Sequence, residues 1–110
     1  MTRVLDGLPV SGGIVEGRPV IVNVPADAAR VEQGDIVVLP NSDPRYALGV
    51  MRAAGLICED GGRLSHVCVV SVEMGIPCIT RAKDARAVLS QASWVRLNGT
   101  EGSVDDLSPR

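Results

Sequence analysis

The 110-residue chain reads as a single α/β domain, and three observations carry that reading. Short runs rich in apolar residues recur at 18–24, 36–39 and 56–58, each preceded by Gly or Asp. A helix with its own start and stop signals, Asp43-Pro44 and Gly55, separates the second run from the third. Apolar residues make up 45% of the chain and aromatic residues only 2%, so the core is built from Val, Ile, Leu, Ala and Met.

The elements follow in order. Residues 7–17 are rich in turn formers, and Ser11-Gly12-Gly13 predicts a tight loop. Arg18-Pro19-Val20-Ile21-Val22-Asn23-Val24 predicts a strand with Pro19 at its start, where a missing N–H is tolerated. Gly34-Asp35 turns the chain into Ile36-Val37-Val38-Leu39, a short buried strand. Asp43 is placed to cap a helix and Pro44 to occupy its first turn. That helix is expected to reach Ala54, to bury Ala47, Leu48, Val50, Met51 and Ala54, and to stop at Gly55. Leu56-Ile57-Cys58 is a strand delivering the chain to Gly61-Gly62.

Residues 67–72, Val-Cys-Val-Val-Ser-Val, are ambiguous. Their β-branched composition favours a strand. Ser65 as a cap and Gly75-Ile76-Pro77 as a stop favour a helix from Ser65 to Met74, apolar almost all round and therefore buried. The residues alone leave both readings open. Beyond them, residues 76–79 predict a strand and residues 83–89 a short helix. Residues 94–97 predict a strand, Asn98-Gly99 a turn, and residues 102–104 a brief return strand. The domain core is expected over residues 7–104, with 105–110 a frayed polar tail.

The bulk numbers narrow the function. A formal charge of −2 and almost no aromatic side chains argue against a nucleic-acid binder. No apolar run approaches the ~18 residues of a membrane span, and no signal-peptide pattern opens the chain, so a cytoplasmic protein is expected. The three cysteines Cys58, Cys68 and Cys78 lack the paired spacing of a zinc site and read as small buried hydrophobes. A cysteine-based metal or redox centre is the weaker alternative.

The chemistry concentrates at Gly61-Gly62-Arg63-Leu64-Ser65-His66, which holds the sole histidine. Two glycines allow a tight turn and close backbone approach to a ligand. His66 at a helix N-terminus would stand among free N–H groups that favour an anion such as phosphate. A neutral imidazole is a competent nucleophile toward phosphorus and gives a covalent phosphoimidazole. The amides of residues 65–67 and of the Gly61-Gly62 turn are candidate holders of phosphoryl oxygens, with a hydroxyl from Ser65. The candidate site is thus His66 as nucleophile, with Gly61, Gly62, Arg63, Ser65 and Val67 around the phosphate. Arg63 either neutralises phosphoryl charge or faces solvent or a partner.

These residues, continued through Val67-Cys68-Val69-Val70 and Glu73-Met74-Gly75-Ile76-Pro77-Cys78-Ile79, resemble the phosphohistidine (swivelling) domain of phosphoenolpyruvate-utilising enzymes. Pyruvate phosphate dikinase, phosphoenolpyruvate synthase, Enzyme I of the sugar phosphotransferase system and rifampicin phosphotransferase contain such a domain. The similarity extends through Gly34-Asp35-Ile36-Val37-Val38, Ser42-Asp43-Pro44, Ala54-Gly55-Leu56-Ile57 and the hairpin Asn98-Gly99-Thr100-Glu101-Gly102-Ser103-Val104. The resemblance implies a compact swivelling β/β/α fold, with a helix from about Ser65 to Met74 and His66 at its start. It implies a phosphoryl carrier of a split dikinase or phosphotransferase system, with attack through Nε2. It also implies that this chain binds no cofactor itself. ATP or phosphoenolpyruvate and Mg belong to partner subunits: an ATP-grasp nucleotide-binding protein, a phosphoenolpyruvate/pyruvate-type barrel, or another acceptor-binding protein.

Four residues depart from the family pattern. Leu64 stands where Thr is usual, Ser71-Val72 where Ala-Arg is frequent, and Arg81 where Gly is common. Leu64 and Val72 motivate a second expectation, a degenerate swivelling domain that docks on or regulates a partner without carrying phosphate.

Overall fold

The computed structural model describes residues 2–109. Among the described residues, two sheets stack and helices cover the outer face of the second. The first sheet contains β1 (Thr2–Asp6), β3 (Ile14–Gly17), β8 (Val95–Asn98) and β9 (Ser103–Asp106), all antiparallel in the order β1-β9-β8-β3. The second contains β2 (Leu8–Ser11), β4 (Pro19–Ile21), β5 (Ile36–Leu39), β6 (Gly55–Cys58) and β7 (Cys78–Thr80), in the order β2-β7-β6-β5-β4. Strands β4 to β7 run parallel, and β2 closes one edge antiparallel to β7.

The second sheet is sandwiched, which explains its uninterrupted apolar runs. Ile36, Val38, Ile57 and Ile79 pack with Leu5, Val95, Leu97 and Val104 of the first sheet. Alternate residues Val37, Leu39, Leu56, Cys58 and Cys78 point the other way, to Val50 of α1 (Ala47–Arg52) and Val67 and Cys68 of α2 (His66–Met74). The short α3 (Ala85–Val88) joins the first side through Ala85, with Leu89 just beyond it. The layers are therefore β/β/α, as the family resemblance implies.

Several expectations change. Residues 7–17 are not simply a turn region: β2 and β3 occupy most of it, joined by the loop at Gly12-Gly13, and β1 precedes them. Their alternation is masked by Gly and Pro, and cross-strand pairing supplies the order that local propensity does not. The strand at Pro19 begins as expected but ends at Ile21, and a 3₁₀ turn over Pro25–Arg30 follows. Residues 105–109 are not frayed. Asp105 and Asp106 pair with both β1 and β8, the Leu107 amide donates to the Trp94 carbonyl at 2.9 Å, and the Ser108 hydroxyl accepts from the Ser93 amide at 2.8 Å. Arg110 lies outside the described residues.

The first helix also differs. Asp43 does cap it, its carboxylate accepting the Arg45 amide at 2.8 Å. A 3₁₀ turn, Pro44–Tyr46, comes first, and α1 then ends at Arg52 rather than Ala54. Its buried side chains are Tyr46 and Val50, whereas Ala47, Leu48 and Met51 face solvent and Ala54 is half-buried. The 3₁₀ start rotates the helix relative to a uniform 3.6 period. Gly55 is not a helix stop but the first residue of β6, where a Cβ would lie 2.8 Å from Leu97 Cδ2 and 2.9 Å from Val15 Cγ1. Close sheet packing requires that glycine.

At the entry to β5, buried Asp35 accepts Arg18 Nη2 at 2.7 Å, Arg18 Nε at 3.2 Å and the Glu32 amide at 2.8 Å. Burial alone would raise its carboxyl. The Arg18 guanidinium and the Glu32 amide outweigh burial and hold it below the usual carboxylate range.

Candidate functional site

The loops that leave β5 and β6 and the segment that follows β7 meet at the carboxyl edge of the second sheet, where open α/β sheets place their ligands. The loop after β6 carries the glycine turn and His66. The resemblance favours a helix here, and the structure has one: α2 begins at His66, with Ser65 in the N-cap position, and ends on left-handed Gly75 (φ +71°). The β-branched valines oppose this helix by about 0.5 kcal/mol each relative to alanine. Burying the Val67 side chain returns roughly 1.5–3 kcal/mol, so tertiary packing decides. The helix is not buried all round. Val67, Cys68 and Ser71 are buried, while Val69, Val72 and Met74 remain exposed.

His66 is exposed, and its ring has no hydrogen-bond partner among the described residues. The turn before it is built from specific bonds. Gly61 adopts φ +125°, and a Cβ there would approach Ser65 Oγ to 3.1 Å, so only glycine fits without strain. Its amide donates to Asp60 Oδ1 at 2.9 Å, and its carbonyl accepts the Thr80 hydroxyl at 2.8 Å. Gly62 has open space where a Cβ would sit. Its carbonyl accepts both the Ser65 amide at 3.1 Å and the Ser65 hydroxyl at 2.7 Å.

Ser65 therefore holds the cap position without capping: its hydroxyl is directed back into the turn. The capping oxygen comes from Ser42, in the loop after β5, whose Oγ accepts the Val67 amide at 2.6 Å. The amides of Gly61, Ser65 and Val67 thus already have acceptors. Those of Gly62, Arg63, Leu64 and His66 have no intramolecular acceptor among the described residues. Arg63 is exposed and donates through Nε to the Pro9 carbonyl of β2 at 3.0 Å.

The local sequence around Ser42 points only to the start of the first helix, and that around Thr80 to no role at the site. A hydroxyl standing before Asp-Pro, and another closing the strand after Gly-Ile-Pro, were the available signals. Their meaning depends on β5, β6 and β7 lying side by side, which no local pattern states.

The three cysteines are free and buried, Cys68 on the inner face of α2 and Cys58 and Cys78 on the strands it covers. Burial pushes the Cys58 thiol up to about 12, and a hydrogen bond with Cys68 together with burial pushes Cys78 up as well. Among the described residues no group of His, Cys, Asp and Glu is arranged to hold a metal, and no helix is long and apolar enough to cross a membrane.

Residues 31–102 match the family model described as "PEP-utilising enzyme, mobile domain". The chain belongs to that family. The mobile domain is 38% identical over 101 residues to phosphoenolpyruvate synthase from Pyrococcus furiosus, covering 92% of this chain and 12% of that protein. It is 36% identical over 100 residues to rifampicin phosphotransferase from Bacillus subtilis, covering 90% of this chain and 11% of the relative. The chain therefore spans about one-eighth of the length of these relatives. The solution structure of an Enzyme I protein shares the fold with a TM-score of 0.58 at 20% identity, over 76% of this chain and 34% of the other. A UPF0107 protein shares it with a TM-score of 0.64 at 12% identity, over 94% and 98% of the two chains.

Proposed function

We propose that this mobile domain is a phosphoryl carrier and that His66 is the residue that carries. An ATP- or phosphoenolpyruvate-binding partner presents the donor. An unprotonated imidazole nitrogen forms an N–P bond as the donor's P–O bond breaks, and the departing oxygen keeps that bond's electron pair. The acceptor's oxygen later displaces the imidazole. The observation that carries this reading is an exposed, unengaged imidazole at the first position of a nine-residue helix, preceded by amides at 62–64 that lack intramolecular acceptors. Gly62, Arg63 and Leu64 amides, rather than those of Gly61, Ser65 and Val67, are the better-placed donors. Ser65 serves by holding the turn. The donor-binding and acceptor-binding parts, with their nucleotide and Mg, belong to partners, and the cytoplasm is where such partners would meet the domain.

The test is incubation with the cognate donor enzyme and ATP or phosphoenolpyruvate. An acid-labile mass gain of one phosphoryl group, absent in His66→Ala, is expected; no gain with the correct donor rejects the reading.

The exposure of Leu64 at 91% and of Val72 at 56% favours a second reading, a docking or regulatory module without phosphate. It predicts that His66→Ala leaves the partner system's turnover unchanged, whereas the carrier reading predicts its loss with partner binding intact.

A further inference from the structure

We infer that Arg81 supplies the cation that faces the phosphoryl group on His66, an assignment that rests on the carrier reading. A phosphoryl dianion formed on the ring is held more strongly when a cation joins the open amides. Helix α2, residues His66–Met74, contains no Lys or Arg, and its position 72 is an exposed valine. The guanidinium groups of Arg45 and Arg86 are paired, with Asp43 at 2.9 Å and Glu59 at 3.0 Å, and that of Arg63 is tethered through Nε to the Pro9 carbonyl at 3.0 Å.

Arg81 differs in two independent ways. Its backbone sits at φ +54°, in the left-handed region that long side chains avoid. Its guanidinium is exposed and has no hydrogen-bond or ion-pair partner among the described residues. A non-glycine residue persists in such a conformation only where its surroundings impose it. The clamps are visible on both sides. The Thr80 hydroxyl holds the Gly61 carbonyl at 2.8 Å, and the Ala82 amide donates to the Cys58 carbonyl at 3.0 Å. They fix residue 81 against the loop that runs from Cys58 through Gly61 to His66. An arginine at this strained position adds an exposed charge beside the loop that carries His66. A glycine there would relax the backbone and bring none.

Phosphoramidate, a small donor that needs no partner protein, separates the possibilities. The imidazole lone pair forms the N–P bond, the donor's P–N bond breaks, and ammonia leaves with a proton. The adduct on the wild-type chain is followed by mass and phosphorus NMR, alongside His66→Ala, Arg81→Gly, Arg81→Lys and Lys83→Ala. Arg81→Gly is expected to slow adduct formation by about tenfold while the melting temperature holds or rises. Arg81→Lys should recover most of the rate, and Lys83→Ala should match wild type. A wild-type rate in Arg81→Gly overturns the assignment. So does a rate loss that tracks a lower melting temperature, or a loss that appears in Lys83→Ala instead. If wild type gains no more adduct than His66→Ala, the carrier reading itself fails and this assignment with it.

Discussion

At the residue scale, the site is a set of hydrogen-bond assignments around one turn. Ser42 is the member with the clearest consequence, because its oxygen replaces the cap that Ser65 does not provide. Ser42→Ala leaves the Val67 amide without that acceptor and is expected to destabilise the fold by about 1 kcal/mol, measured by urea unfolding. His66→Ala should stay within ~0.5 kcal/mol of wild type in the same assay, since its ring is exposed and unengaged. Much of this turn was legible in the chain: Gly61, Ser65 and His66 fall where the motif puts them. What was not legible is which amides remain open. That depends on Asp60, Ser42 and Thr80, whose side chains arrive from three different loops or strands.

At the element scale, strand β6 shows how a sequence signal can be correct and its meaning different. Gly55 ends no helix; it lets β6 lie against Val15 and Leu97 of the first sheet. Gly55→Ala is expected to lose about 1–3 kcal/mol through overpacking, read as a fall in melting temperature without loss of secondary structure. Asp43-Pro44 marks its helix start as expected, because a cap is local chemistry, and Gly75 ends α2 where the resemblance implies. The burial of Leu48 and Met51 was misjudged because a 3₁₀ turn resets the phase of α1. Strands β1 to β3 were missed because their order comes from partners distant in sequence: β1 on β9, β2 on β7, β3 on β8.

At the scale of the whole molecule, two packed sheets hold the loops of one edge in register, and the opposite edge is tied by Arg18 and Asp35. The Asp35 carboxyl titrates below its unfolded value, so its contribution to stability is complete above the unfolded pKa of about 4 and is lost as pH falls through the lower folded value. Asp35→Asn should lower stability at neutral pH by about 1–2 kcal/mol, a figure discounted because Arg18 is half exposed. The acid limb of a stability–pH curve should flatten in that variant. The buried thiols give a global probe: Cys58, Cys68 and Cys78 should resist a thiol reagent until the domain unfolds, then all react. On the proposed carrier reading, this arrangement presents one exposed ring, that of His66. Its most direct test is a chase: the domain is labelled by its donor with radioactive phosphate, separated from that donor, and mixed with the acceptor protein and its substrate. Carriage by His66 predicts that the label leaves the domain and appears in the phosphorylated product. Label found on another residue, or lost only to water at the same rate with and without acceptor, contradicts it.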